Sequence, residues 1–134
     1  MNETASSRRD VIRVLAGLGI AAAAADLRAQ DAVKVDPRGY RVVLENDQVR
    51  VLEYVAKPRL GVCGQGMHSH PDHVTVVMTD VKAKVTLPDG KTFVAENKAG
   101  DTFFEAASTH SVENVGGRDS RVLLVELKGA PRKA

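Results

Sequence analysis

The sequence has 134 residues, 43% of them apolar, and a formal net charge of +2 at pH 7. That length suits one small domain, and the apolar share excludes an intrinsically disordered chain. Beyond the first 29 residues, 15 Lys and Arg residues stand against 14 Asp and Glu residues. This part has no basic footprint, so we expect no nucleic-acid partner. Cys63 is the one cysteine and cannot form an intramolecular disulfide; it is either a buried apolar group or a thiol close to the histidines.

The first 29 residues have the three parts of a secretory signal peptide. A charged stretch at 7–13 precedes an apolar core at 14–25, and Ala25 and Ala29 offer two cleavage sites. The core is too short to span a bilayer comfortably, and the paired Arg8 and Arg9 resemble the twin-arginine signals of bacteria. We therefore predict a cleaved, twin-arginine-like signal peptide, a periplasmic or secreted protein, and no stable membrane insertion after cleavage. The alternative is an amphipathic or membrane-anchoring helix.

The remaining residues, 30–134, predict a single all-β domain. Residues 81–87 alternate between apolar and polar side chains, which is typical of a strand with one buried face. Pro88 and Gly90 follow in a turn sequence. Further β-rich runs, bounded by turn residues, occupy 48–55, 74–79, 92–96, 102–105 and 121–127. About eight short strands without a convincing amphipathic helix predict a sandwich or barrel.

Three of the four histidines, His68, His70 and His73, lie within six residues, and the fourth is His110. Alternate residues of a strand face the same side, so His68 and His70 would present two imidazoles together. Neutral imidazole is a good ligand for Fe, Ni, Cu and Zn. A His-x-His pair in a β-rich chain, with a third and distant histidine, therefore predicts one divalent transition metal ion bound by His68, His70 and His110.

The two histidine regions resemble the two motifs of the cupin superfamily. The first cupin motif contains His-x-His followed by Glu three or four residues later, and the second runs from Gly to His and then Asn. In residues 100–114, Gly100, Asp101, His110 and Asn114 match the second motif, whereas small residues replace its Pro and Gly. The resemblance covers roughly 49–127. It implies a cupin-type barrel, a double-stranded β-helix or jelly roll.

One position departs from the cupin pattern. The motif's Glu falls at Val74 or Thr75, and neither side chain is a strong metal ligand. Three arrangements stay open: three histidines with water completing the coordination, His73 as a fourth imidazole, or a carboxylate from Asp72 or Glu105. A degenerate site that binds no metal is the remaining alternative.

The cupin resemblance implies several functions, because this fold hosts dioxygenases, isomerases, lyases and binding modules. We expect a metal-dependent, dioxygenase-like enzyme that acts on a small organic molecule. Iron is the favoured metal, since three-histidine sites in the superfamily include iron dioxygenases; manganese, nickel, copper and zinc are alternatives. The competing hypothesis is a non-catalytic periplasmic module that binds a ligand or a metal. The resemblance also implies a homodimer, since dimers are common in the superfamily.

An enzyme needs acid or base groups beside its metal. His73, Glu105 and Tyr54 are the candidates for that catalytic role. A binding module would instead show a closed apolar pocket, for which Phe103, Phe104 and Met78 are the candidate lining residues, unless they are ordinary core.

Overall fold

The computed structural model describes residues 30–58 and 66–129. The predicted signal peptide at 1–29 and Cys63 lie outside the described residues, so what the sequence predicts for them stays a prediction. Among the described residues, no helix is long and apolar enough to cross a membrane.

Short β-strands dominate the described residues. One four-residue helix, α1 (Ala32–Val35), precedes them. The strands are β1 (Tyr40–Glu45), β2 (Val49–Ala56), β3 (His68–His70), β4 (His73–Val77), β5 (Val81–Thr86), β6 (Thr92–Asn97), β7 (Thr102–Glu105), β8 (Ser108–Asn114) and β9 (Ser120–Leu127). This confirms the predicted all-β class.

The strands form two antiparallel sheets whose inner faces enclose one interior. One sheet has the order β1-β2-β9-β4-β7, and the other has the order β3-β8-β5-β6. From β3 onward the chain changes sheets at every connection except the β5–β6 hairpin, which is the winding of a double-stranded β-helix. Because of this alternation, residues close in sequence reach the interior from opposite walls.

Period-two patterning explains which side chains face the interior. In β5, Ala83 and Val85 are buried while Lys82 and Lys84 are exposed. The hairpin from β5 to β6 closes at Gly90, whose positive φ of 87° suits glycine.

The main apolar cluster joins the N-terminal segment to the five-stranded sheet. Its buried members are Ala32, Tyr40, Leu52, Tyr54, Ala56 and Leu124. A second cluster around Val85 and Leu87 belongs to the four-stranded sheet. The two clusters leave the histidine-bearing end of the interior for polar side chains.

Candidate metal centre

Three histidines meet on the inner face of the four-stranded sheet. β3 pairs with β8 so that His68 lies opposite His110, while His70 lies opposite Ser108. All three imidazoles are buried, with ring centroids 5.0 Å apart for His68 and His70, 5.0 Å for His68 and His110, and 5.4 Å for His70 and His110. One ligand nitrogen from each ring lies within 4.8 Å of the others. The three side chains could therefore hold one metal ion.

His70 has a free lone pair inside this group. Its Nδ1 lies 2.9 Å from Glu126 Oε1; a carboxylate accepts, so Nδ1 carries the hydrogen and Nε2 carries the lone pair. That Nε2 is buried and has no hydrogen-bond partner. Burial, together with the neighbouring histidines, holds the pKa of His70 well below its usual value. A neutral imidazole with a buried, unpartnered lone pair fits a metal ion.

The other two imidazoles are also held in the neutral form. Burial is the main reason that the pKa values of His68 and His110 are lowered. His68 Nδ1 donates to Gly66 O at 3.1 Å, so its Nε2 accepts from the Tyr40 hydroxyl at 3.0 Å. His110 Nδ1 is buried without a partner. The chemistry of this donor set suits a borderline transition metal.

Glu126 orients His70 and is itself held in place by an ion pair with Arg50. It lies on β9 with its side chain 2% exposed, and it accepts hydrogen bonds from Arg50 at 2.7 and 2.8 Å. Arg50 also binds Asp31 at 2.8 Å. Burial raises the pKa of Glu126 despite the nearby guanidinium. A carboxylate that accepts the second N–H of a ligand histidine fixes its tautomer and ring orientation.

Sequence reasoning missed Glu126, although the pattern of β9 contains a signal for it. Ser120, Leu124 and Glu126 are the fully buried residues of this strand and share one parity. An acidic residue in register with the inward-facing Leu124 predicts a carboxylate inside the barrel.

His73 and Glu105 form a second polar group beside the three histidines. His73 lies on β4, in the opposite sheet, with its ring centroid 5.1 Å from that of His70. Its Nε2 is 2.7 Å from Glu105 Oε2, and its Nδ1 donates to Pro71 O at 2.7 Å. Thr75 Oγ1 also donates to Glu105 Oε2, at 3.2 Å. Burial lowers the pKa of His73, but the hydrogen bond and charge of Glu105 outweigh it and leave that pKa raised.

The alternatives for the missing Glu ligand can be compared with this geometry. Both ring nitrogens of His73 are engaged, so as a fourth ligand it would have to give up Glu105 or Pro71; His68 would likewise have to give up the Tyr40 hydroxyl. His73 differs from His68 in lying on the opposite sheet, outside the three nitrogens that are within 4.8 Å of one another. Asp72 is exposed and accepts the Ala107 N–H at 2.8 Å, away from the histidines. Glu105 bonds to Thr75, one of the two positions where the motif's Glu would fall. Its carboxylate thus comes from β7 toward the place that the sequence leaves without one.

Two tyrosines stack behind the histidines, with ring centroids 4.3 Å apart. Tyr54, the predicted catalytic tyrosine, is buried and lines the interior. The hydroxyl that bonds to His68 belongs instead to Tyr40, which sequence analysis did not single out. Burial raises the pKa of both phenols, so both stay protonated at neutral pH.

A cavity of about 120 Å³ runs through the barrel interior. His70, His110 and Glu105 line its polar end, and Phe103 is part of its wall. Both roles considered for Phe104 and Met78, pocket lining and ordinary core, are wrong: these residues are 50% and 41% exposed. Phe104 follows Phe103 on β7 and therefore points to the opposite face of the sheet.

Solved structures share this architecture. A cupin domain from Bordetella pertussis Tohama I superposes with a TM-score of 0.58 at 24% identity, covering 67% of this chain and 92% of that one. The chain has a cupin fold. A cupin family protein with a double-stranded β-helix fold, from Methanocaldococcus jannaschii, gives a TM-score of 0.52 at 11% identity over 66% of this chain and 77% of that one. A protein from Bacillus halodurans gives 0.50 at 19% identity over 69% and 72% of the two chains.

These likenesses, at 24% identity or less, show the fold alone. No protein-family model matches the sequence, and no curated protein matches it. What this cupin-fold protein does must therefore be argued from its own side chains.

Proposed function

We propose that this cupin-fold protein is a metal-dependent, dioxygenase-like enzyme that acts on a small organic molecule. His68, His70 and His110 would hold one divalent transition metal ion, with iron favoured and manganese, nickel, copper or zinc as alternatives. The observation that carries the proposal is the buried His73–Glu105 pair, 2.7 Å between Nε2 and Oε2, beside the three imidazoles. The fold does not require such a pair, and titratable groups clustered in a cavity are typical of catalytic sites.

When bound by three neutral ligands, the ion would supply Lewis-acid and one-electron chemistry. The residues of the chain supply the rest. Glu126 keeps the His70 lone pair directed into the group, and Arg50 holds Glu126 in place. The Glu105 carboxylate lines the cavity, where it would accept a proton from a substrate O–H or C–H group, and the His73 Nε2–H that donates to it would hold it in position.

The cavity limits which substrates belong in a test. An engineered cavity of about 150 Å³ holds benzene, and the volume here is about 120 Å³. Small diketones, hydroxyketones and thiols are therefore suitable oxygenase substrates, whereas flavonols are too large.

Metal content of single variants tests the ligand set. Replacing His68, His70 or His110 by Ala should each remove most of the bound iron, measured by elemental analysis of purified protein. His73→Ala should retain it, because His73 lies outside the group of three ligand nitrogens that are within 4.8 Å of one another. Complete metal loss in His73→Ala would contradict the three-histidine ligand set.

Oxygen uptake tests the catalytic part. Glu105→Gln should keep the iron but lower turnover by about 10²–10⁴-fold, the usual contribution of a positioned acid or base. Glu96→Gln is the control, because the Glu96 side chain is 67% exposed. If fully iron-loaded wild-type protein consumes no oxygen with any small substrate, the protein is the non-catalytic binding module instead.

A further inference from the structure

Small side chains widen the end of the barrel that lies away from the histidines. Ala83 on β5 lies directly opposite Ala95 on β6, and both line the cavity. Ala56 and Ser120, paired across β2 and β9, line it from the other sheet. Larger residues at these four positions would fill the interior, so the space here follows from the sequence.

The cavity is long compared with its volume. It touches His110 and also Asn114, which are four residues apart on β8 and thus about 13 Å apart at about 3.3 Å per residue. A volume of about 120 Å³ spread over that length leaves a narrow slot. An unbranched chain fits such a slot better than a ring does.

The slot is polar at both ends and apolar between them. His70, His110 and Glu105 line one end, and Val77, Val85 and Val112 line the middle. Asn97, Asn114 and Ser120 line the far end, where the Asn114 amide is already used: Nδ2 donates to Ala56 O and Arg118 O, and Oδ1 accepts from Gly116 N–H. A ligand would therefore place one polar head at the histidines and an apolar tail along the middle.

We infer that the ligand is a short, unbranched aliphatic molecule with one anionic oxygen head, a carboxylate or an enolate. The position of the head rests on the proposed function. The head belongs at the ion held by His68, His70 and His110, because three neutral ligands leave the positive charge of the ion uncompensated. The tail extends toward Ala83 and Ala95, with the Val81–Asn97 pair beyond them. By volume the tail is limited to about five or six carbon atoms.

Binding of straight-chain acids to the zinc-loaded full-length protein tests this inference, since zinc supports no redox turnover. Isothermal titration with acetate, butanoate, hexanoate and octanoate should show affinity rising about fourfold per methylene group and levelling off near hexanoate. Benzoate and hexanol should bind more weakly than hexanoate. Equal affinity for all chain lengths, or for hexanol and hexanoate, would overturn the inference.

A pair of neighbouring variants locates the tail. Ala95→Leu adds three carbon atoms inside the slot. It should weaken hexanoate binding about 15-fold, which is the affinity that two methylene groups contribute, and it should leave acetate binding unchanged. Val94→Leu is the control, because Val94 is the next residue and is 51% exposed. An equal effect of the two variants would contradict the tail position. Should Ala95→Leu fail to fold, the chain-length series on the wild-type protein still decides the question.

Zinc content measured in the same samples separates the two proposals. Zinc-loaded protein that binds none of the acids overturns the ligand inference and leaves the metal site intact. Protein that takes up no zinc or iron overturns the proposed function.

Discussion

Removing the Glu126 carboxylate should weaken both the fold and metal binding. Glu126→Ala leaves the His70 Nδ1–H buried without an acceptor and takes two hydrogen bonds from Arg50. Loss of one member of a buried ion pair costs about 3–5 kcal/mol. Here Arg50 keeps Asp31 at 2.8 Å and is itself 18% exposed. We therefore expect a loss of about 2–3 kcal/mol in the free energy of unfolding.

The affinity for the metal should fall by more than the lost stability of the fold explains. Without the carboxylate, the His70 imidazole is free to rotate or change tautomer, and loss of such a support typically costs about 10–100-fold in metal affinity. Glu126→Gln retains an oxygen that accepts from His70 Nδ1–H. It should recover most of the affinity while losing the charge that binds Arg50.

Glu53→Gln is the matched control. Glu53 lies on β2, the strand next to β9, and binds two arginines, Arg41 and Arg121. It faces outward, because Leu52 and Tyr54 on either side face the core. Urea unfolding of metal-free protein and competition for zinc with a coloured chelator give the two quantities. If Glu53→Gln lowers zinc affinity as much as Glu126→Ala does, or if Glu126→Ala binds zinc as wild type does, the orienting role is refuted.

Three further predictions concern stability and processing. In the presence of a chelator, the protein should lose stability as pH falls below about 6.5. The reason is that the histidines of the unfolded chain then take up protons, whereas the buried ligand histidines, whose pKa values are lowered, do not. The His73–Glu105 pair acts in the opposite direction, and saturating zinc should raise the melting temperature at pH 7.5. Gly39→Ala should cost about 1–3 kcal/mol in urea unfolding, since its Cβ would overlap the Asp36 carboxylate, whereas Gly117→Ala, with open space around it, should not. Mass spectrometry of exported protein should find a mature chain starting near Gln30, and lysine at both Arg8 and Arg9 should stop export if the twin-arginine prediction holds.

The sequence predicts the sheet strands whose inward and outward faces differ most. The 81–87 run matches β5 within one residue, because apolar and charged residues alternate there. The 102–105 run matches β7, although the adjacent Phe103 and Phe104 break such an alternation. β1 was not predicted as a separate strand. Five of its six residues are exposed, so its apolar Val42, Val43 and Leu44 carry no burial pattern to recognise.

The candidate site was predictable only where neighbours in sequence are neighbours in space. His68 and His70 share a strand, so period two places them together. Period two says nothing about how His73 faces His68, since the chain passes from one sheet to the other between them. Tyr40 reaches His68 from a distant strand, and such a contact depends on strand order, which one sequence does not reveal.

The series Asp31–Arg50–Glu126–His70 joins the start of the described domain to its last strand. Two of its three links join distant parts of the chain: Arg50 and Glu126 are 76 residues apart, and His70 and Glu126 are 56 apart. Contacts of such high sequence separation form late, after the loops between them have closed. We therefore expect metal capture to follow the completion of the barrel rather than to nucleate it. A chain released before β9 would carry all the ligand histidines and still lack the carboxylate that orients His70.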